Sequence, residues 1–171
     1  MSAVDQELLT RLLDQHGPAL VLYAQQWCSV PEDVVQEAFL QLMRERPAPT
    51  NAVGWLYRVV RNGAIDLSRA ATRRNHHEAT AASEREGWFA ATSENQVDGS
   101  AAVRALESLP IEQREVIVLR LWGGQSFQQI AELIGRSTST AHRRYEIGVA
   151  KLRDELNITC PDVGSDHHAR R

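Results

Sequence analysis

The strongest constraint on the fold is one stretch near the carboxyl end, "SFQQIAELIGRSTSTAHRRYEIGVAKLR", which covers residues 126–153. Its apolar residues recur every three or four positions on both sides of Gly135, a spacing that predicts two amphipathic helices joined by a short turn. Gly135 can adopt the positive φ that a tight turn requires, and Ala131 is small enough to let the second helix cross closely. The stretch therefore predicts a helix-turn-helix.

Both helices of this motif have a recognisable start. Ser126 is followed three residues later by Gln129, which is the pattern of a capping box, and Ser137 stands where the second helix begins. Local hydrogen bonding thus supports the same two helices that the apolar spacing predicts.

The second helix of a helix-turn-helix directs its first turns into the major groove of DNA. Here those turns combine short hydroxyl side chains with arginines, which can bond base edges or phosphates, and free backbone N–H groups at the helix start also favour a phosphate. An ordinary helical hairpin with solvated arginines would show the same pattern and remains open from these residues alone. The residues predicted to bind duplex DNA are Arg136, Ser137, Thr138, Ser139, Thr140, His142, Arg143 and Arg144.

The rest of the chain also favours helix, because alanine, leucine, glutamate, glutamine and arginine abound and alternating β patterns are scarce. We expect an all-α protein of two small helical domains, held apart by a flexible linker. The predicted boundaries are 1–75 for the first domain, 76–100 for the linker, 101–156 for the second domain and 157–171 for a disordered tail.

Four helices are expected in the first half. The leucine pattern stops at Gly17, Pro18 would open a second helix, and Ser29 with Glu32 has the pattern of a capping box for a third. The four predicted helices cover residues 7–16, 18–28, 31–46 and 52–71.

In the second half, Ser100 is a candidate cap for a helix, Pro110 would open the next one, and Gly123 with the glycine after it would end that helix. Gly148 lies inside the last predicted helix, where glycine costs about 1 kcal/mol relative to alanine.

Trp88 and Phe89 are the bulky residues of the linker, and they either dock onto the protein or close a short helical turn.

The net charge of −3 hides an uneven distribution. Residues 1–45 carry seven acids against two arginines, whereas residues 54–74 carry five arginines against one aspartate. Residues 136–153 carry four arginines and a lysine against one glutamate. Either basic run alone could be a solvated helix face, but two such runs indicate two separate anion-binding surfaces.

Several other classes of protein find no support in the sequence. Cys28 and Cys160 form no CxxC pair, no metal-ligand spacing occurs, and neither a phosphate-cradling glycine loop nor a nucleophile–base arrangement is present. We therefore expect no cofactor, no metal and no enzyme activity. The charged amino end and the lack of ~18 consecutive apolar residues predict a cytoplasmic protein without membrane insertion.

Two longer segments resemble a known family. Residues 105–156, which include "LESLPIEQREVIVLRLWGGQSFQQIAELI", resemble region four of bacterial sigma factors. "PEDVVQEAFLQLMRE" and "WLYRVVRNGAIDLSRAATRR", residues 31–45 and 55–74, resemble region two. The order of the two regions, without a long insertion between them, is similar to the extracytoplasmic-function group of the sigma-70 family.

The resemblance implies a protein that binds core RNA polymerase and promoter DNA, with region four on the duplex minus-thirty-five element and region two on the melting minus-ten element. An anti-sigma factor is a further partner that the resemblance allows but that no residue of this sequence demonstrates. The implied minus-ten residues are Asn51, Trp55, Arg58, Arg61, Asn62, Arg69, Arg73 and Arg74, of which Trp55 could equally be a core residue. The implied polymerase-binding residues are Asp33, Gln36, Glu37, Leu40 and Gln41.

Three alternatives compete with this interpretation: a stand-alone helix-turn-helix regulator, an enzyme, and a purely helical interaction protein. The first explains residues 126–153 and leaves the region-two pattern without a role. The second lacks a catalytic constellation. The third predicts that replacing Arg143 and Arg144 has no effect on any DNA-dependent activity.

Overall fold

The computed structural model describes residues 5–77 and 98–156, and the secondary structure of this part is entirely α-helical. This agrees with the predicted all-α class. Trp88, Phe89, most of the predicted linker and the predicted tail lie outside the described residues. The helices, in chain order, are α1 (Gln6–Ala24), α2 (Pro31–Arg44), α3 (Ala52–His77), α4 (Asp98–Ser108), α5 (Ile111–Leu121), α6 (Phe127–Ile134) and α7 (Thr138–Glu155).

The prediction of two helices separated at Gly17 was wrong, because α1 continues through Gly17 and Pro18 as one helix of 19 residues. A proline inside a helix removes one backbone hydrogen bond. Tertiary packing offsets this loss, since Leu20 and Tyr23, which follow the proline, are fully buried in the core. The first half therefore forms three helices and not four.

The predicted capping box of Ser29 and Glu32 is also absent. Val30 is the N-cap of α2 and makes no side-chain cap bond, while Pro31 occupies the first turn, where its missing N–H costs nothing. The next helix, α3, is capped by Asn51, whose Oδ1 accepts a hydrogen bond from the backbone N–H of Gly54 at 2.9 Å. It runs to His77, six residues beyond the predicted end.

The second half follows its sequence signals more closely. Ser126 and Gln129 form the predicted capping box, with bonds of 2.8 and 3.2 Å. Gly135 ends α6 in the left-handed conformation at φ 64°. Ser137 caps α7 by accepting the backbone N–H of Thr140 at 3.1 Å. The exception is α4, which begins at Asp98, so that Ser100 lies inside the helix and is not its cap.

The two halves are not held apart in this structure, contrary to our expectation. A single cluster of buried apolar residues joins α1, α2 and α3 to α5, α6 and α7. Leu20, Leu56 and Val60 from the first half belong to it together with Leu119 and Ile130 from the second, and all five are fully buried. Residues 76–77 and 98–100, which were predicted to belong to the linker, lie within α3 and α4.

Candidate nucleic-acid interface

The first turns of α7 project from the surface as a helix-turn-helix requires. Arg136, Ser137, Thr138 and Ser139 are exposed, as are His142 and Arg143, while Thr140 and Arg144 are half-buried. Buried Ala141 faces α6 and turns this surface outward. All eight predicted duplex-binding residues thus lie on or at the edge of one accessible surface.

Not every hydroxyl of this surface is equally available. The Ser137 hydroxyl caps α7 and also lies 2.9 Å from the hydroxyl of Thr140, so that both side chains are engaged in holding the helix start. Thr138 and Ser139 form no side-chain hydrogen bond to any residue within the described ranges. They are therefore the two hydroxyl groups with free bonding capacity.

An aromatic contact sets the position of His142. Its ring meets the ring of Phe127, at the start of α6, edge-on with 4.8 Å between centroids, and Phe127 also contacts Tyr145 at 5.4 Å. The Nδ1 atom of His142 lies 3.3 Å from a carboxylate oxygen of Glu146, one turn further along α7. The imidazole is thus oriented by two neighbours while half of it stays exposed.

Arg143 and Arg144 form no ion pair or hydrogen bond with other residues in the described part of the chain. An arginine without an internal partner can give its planar set of donors to a guanine edge or to a phosphate. Both residues are consequently available to an external anion.

The predicted minus-ten residues all belong to α3 or to its cap. Two of them have defined structural roles, because Asn51 caps the helix and Trp55 is half-buried against the core cluster. Arg69 lies 3.8 Å from Asp66 in an exposed ion pair. The freely exposed members are Arg58, Asn62, Arg73 and Arg74.

Arg61 differs from the other arginines of α3 because it reaches into the second half. Its Nε donates to Oε1 of Glu115 in α5 at 2.7 Å, and its Nη2 lies 3.5 Å from Oε2. Tyr23 of α1 donates its hydroxyl to the same Oε1 atom at 2.7 Å. Three helices therefore converge on one carboxylate, whose side chain is only 5% exposed.

This network shifts the acid–base behaviour of two of its members. Burial, reinforced by the negative charge of Glu115, raises the pKa of Tyr23 well above its usual value. Burial alone would lower the pKa of Arg61, but its hydrogen bond to Glu115 and the opposite charge together raise it. Both groups thus keep their protons, and with them their hydrogen bonds to the carboxylate.

Sequence reasoning did not identify Glu115 or Tyr23. Glu115 stands in "IEQREVIVLR", where a glutamate three residues after the previous one is typical of a solvated helix face. Its partners lie 54 and 92 residues away in the chain, so that no local pattern could reveal them.

The predicted polymerase-binding residues of α2 share one exposed face. Asp33, Gln36, Glu37 and Gln41 are exposed, and Leu40 is 36% exposed. Beside this face an apolar groove of about 880 Å³ runs between α1 and α2. Among its lining residues are Gln36 and Leu40, together with Leu13, Met43 and, from the second half, Trp122.

Within the described ranges no group of three or more histidine, cysteine, aspartate or glutamate side chains could hold a metal ion. The helices of this part are also all too short or too polar to cross a bilayer. What the described residues do define is an all-α helix-turn-helix protein with a second basic helix.

Comparison with known proteins specifies this class further. A family model described as Sigma-70 region 2 matches residues 12–74, and one described as Sigma-70, region 4 matches residues 100–152. The RNA polymerase sigma factor CarQ of Myxococcus xanthus is 31% identical over an alignment of 134 positions, which covers 75% of this chain and 75% of CarQ. The chain therefore belongs to the sigma-70 family of RNA polymerase sigma factors, and it directs transcription initiation at promoters.

Further relatives support the extracytoplasmic-function (ECF) group. The ECF RNA polymerase sigma factor SigL of Mycobacterium tuberculosis is 29% identical over an alignment of 174 positions, which covers 92% of this chain and 96% of SigL. The probable RNA polymerase sigma factor RfaY of Xanthomonas campestris is 30% identical over 135 residues, but this chain spans only 34% of its length.

A solved structure shows the same fold. The sigma factor RpoE from Bartonella quintana, in complex with the anti-sigma factor NepR, superposes with a TM-score of 0.72 and covers 91% of this chain and 100% of that chain. The two sequences are 21% identical.

Proposed function

We propose that the two basic helices divide promoter recognition between them. In this proposal α7 binds the minus-thirty-five element as duplex, using Arg143 and Arg144 for base edges or phosphates. Thr138, Ser139 and His142 approach the bases, while Arg136, Ser137 and Thr140 form the helix start that receives a phosphate. The exposed first turns of α7, oriented by Gly135 and capped by Ser137, are the observation that carries the proposal.

The minus-ten element is assigned to α3. Melted DNA requires cations along the backbone and flat surfaces for unstacked bases. Arg58, Arg69, Arg73 and Arg74 would supply the cations, and Asn62 a hydrogen-bonding side chain. Asn51 and Trp55 lie at the start of the same helix. Arg61 could join them only after leaving Glu115.

Core RNA polymerase is assigned to the exposed face of α2. Asp33 and Glu37 give this face a negative charge suited to a basic partner helix, while Leu40 supplies an apolar contact. Gln36 and Gln41 border that contact, and Gln41 bonds Glu37 at 3.3 Å. Because core RNA polymerase works in the cytoplasm, we place the protein there, acting as an initiation factor and not as an enzyme.

An anti-sigma factor is a further proposed partner. The matched RpoE was crystallised with such a protein, NepR. The apolar groove between α1 and α2, next to the proposed polymerase face, would be a suitable surface for a competing protein.

The decisive experiment is in vitro transcription with core RNA polymerase over a genomic promoter library. We expect transcripts from a small set of promoters that share two sequence elements, and none without the protein. A stand-alone regulator would bind duplex sites in the absence of polymerase, would not be retained by immobilised core polymerase and would start no transcript. That result would overturn the proposal.

A further inference from the structure

A polar contact joins the two halves, in which Arg61 and Tyr23 each donate a hydrogen bond of 2.7 Å to Glu115. It is made by residues from two regions that, under the proposed function, serve different promoter elements. Glu115 lies in α5 of region four, and its almost completely buried side chain bonds two partners from region two. A carboxylate in such a position is stabilised only while its charged and hydroxyl partners stay in place.

In this structure the two halves pack against each other, and this closed arrangement is too small to bind the minus-ten and minus-thirty-five elements at once. The element names place them about 25 base pairs apart, which is about 85 Å of duplex at ~3.4 Å per step. A compact globule of roughly 130 residues has a radius of gyration of about 14 Å and a diameter of about 36 Å. Regions two and four must therefore separate before α3 and α7 can occupy their two elements together.

Closure also restricts both proposed binding surfaces of region two. Arg61 is held by Glu115 and is unavailable to DNA. In addition, α6 packs against α3, and Trp122 lines the groove that Gln36 and Leu40 of the polymerase face border. The same contacts that close the protein thus lie against its DNA-binding and polymerase-binding helices.

We propose that Glu115, Arg61 and Tyr23 form a polar latch that holds the free sigma factor in a closed resting form, and that the latch opens when the protein engages polymerase and promoter. The apolar part of the interface supplies non-directional attraction, while the latch gives the closed form its specific geometry. Charge reversal on one side of the latch places two cations against each other at a buried site and opens the protein. Glu115 would face water once the halves separate, so that its charge carries no burial cost in the open form.

The test measures the distance between the halves in the full-length chain, without DNA or polymerase. Spin labels are placed at exposed positions in α2 and α7, by Arg44→Cys and Lys151→Cys in a Cys28→Ala, Cys160→Ser background. We expect one short-distance population for the otherwise unchanged protein. Glu115→Arg should raise the ratio of long to short distances at least tenfold, while Arg61→Glu combined with Glu115→Arg should restore the short distance.

Glu112→Arg is the matched control, because Glu112 lies on the same helix less than one turn earlier but is exposed. It should leave the distance unchanged. Persistence of the short distance in Glu115→Arg would overturn the latch. An equal effect of Glu112→Arg, or failure of the double charge swap to restore closure, would do the same.

The consequence for promoter engagement rests on the proposed function and has a separate measurement. Adding core polymerase and a promoter fragment to the labelled protein should convert the short distance to a long one. A short distance retained in a complex that transcribes would overturn the inference. Failure to form any complex, with the latch variants behaving as expected, would refute the proposed function and leave the latch standing.

Discussion

Gly148 of α7 lies directly against Ile117 of α5, so that a β-carbon at position 148 would come within 2.7 Å of the Ile117 Cδ1 atom and 3.2 Å of the Gln113 Cβ atom. Ile117 is completely buried and has little room to move. The sequence suggested only that this glycine costs its helix about 1 kcal/mol. In the structure it permits the close packing of α5 on α7, which supports the helix-turn-helix from behind.

Gly148→Val should lower the free energy of unfolding by about 1–3 kcal/mol, because overpacking a buried contact forces neighbouring side chains or the backbone to shift. Urea denaturation measures this loss. Ala150→Val, at an exposed position of the same helix, introduces a valine without overpacking and should cost less than about 1 kcal/mol. Equal losses for the two variants would contradict the close contact.

Ser137→Ala should destabilise the protein by about 1 kcal/mol, since it removes the side-chain acceptor that caps α7. Ser139→Ala, two residues further on and exposed, should be neutral or slightly stabilising, because alanine is the better helix former. Thermal unfolding of the two variants compares them directly. The cap assignment would fail if Ser139→Ala cost as much as Ser137→Ala.

Arg143→Ala combined with Arg144→Ala should weaken binding to the duplex upstream element by at least tenfold, while contacts during promoter melting persist. A lost base contact of an arginine corresponds to about 1–3 kcal/mol. Footprinting of the upstream element and permanganate reactivity of the melted region separate the two activities.

The complementary variant is Arg58→Ala with Arg73→Ala, two exposed arginines of α3, which should reduce melting and spare the upstream footprint. Arg61 is unsuitable here because its substitution would also break the bond to Glu115. Similar losses of both activities from either pair would argue against a division of labour between the helices.

Alkaline pH should destabilise the protein through two buried tyrosines. Burial raises the pKa of Tyr23 well above its usual value, and it raises the pKa of Tyr57 as well. Both hydroxyl groups bind their protons more tightly in the folded protein than in the unfolded one. Their contribution to the free energy of unfolding is therefore complete below the unfolded pKa of ~10, and it is lost as the pH rises toward the folded pKa values. The expected slope is about 1.4 kcal/mol per pH unit for each tyrosine.

Urea denaturation between pH 8 and pH 11 measures this slope, and Tyr57→Phe should reduce it. The Tyr57 hydroxyl makes no hydrogen bond within the described part of the chain, so that phenylalanine leaves no partner unpaired. An unchanged slope in Tyr57→Phe would show that this hydroxyl ionises as readily in the folded protein as in the unfolded one.

Local signals determined much of the helix-turn-helix from the sequence alone. Gly135 ends α6 because it tolerates a positive φ, and the bonds of Ser126 and Ser137 connect residues three positions apart, so that their partners are visible in the sequence. The exposed residues of α2, Asp33 among them, likewise follow from the spacing of the buried ones.

Tertiary packing decided the features that depend on contacts between residues far apart in the sequence. It carried α1 through Pro18, because burying Leu20 and Tyr23 outweighs one missing hydrogen bond. It also paired Arg61, a residue predicted to contact DNA, with a buried carboxylate. The sequence by itself specified α6 and α7, their caps and the charge on their exposed faces, since these depend on neighbours three or four positions away. The two halves are joined by the bonds of Glu115 to Arg61 and to Tyr23, whose partners are separated in the sequence by 54 and 92 positions. Only the folded chain brings such residues together.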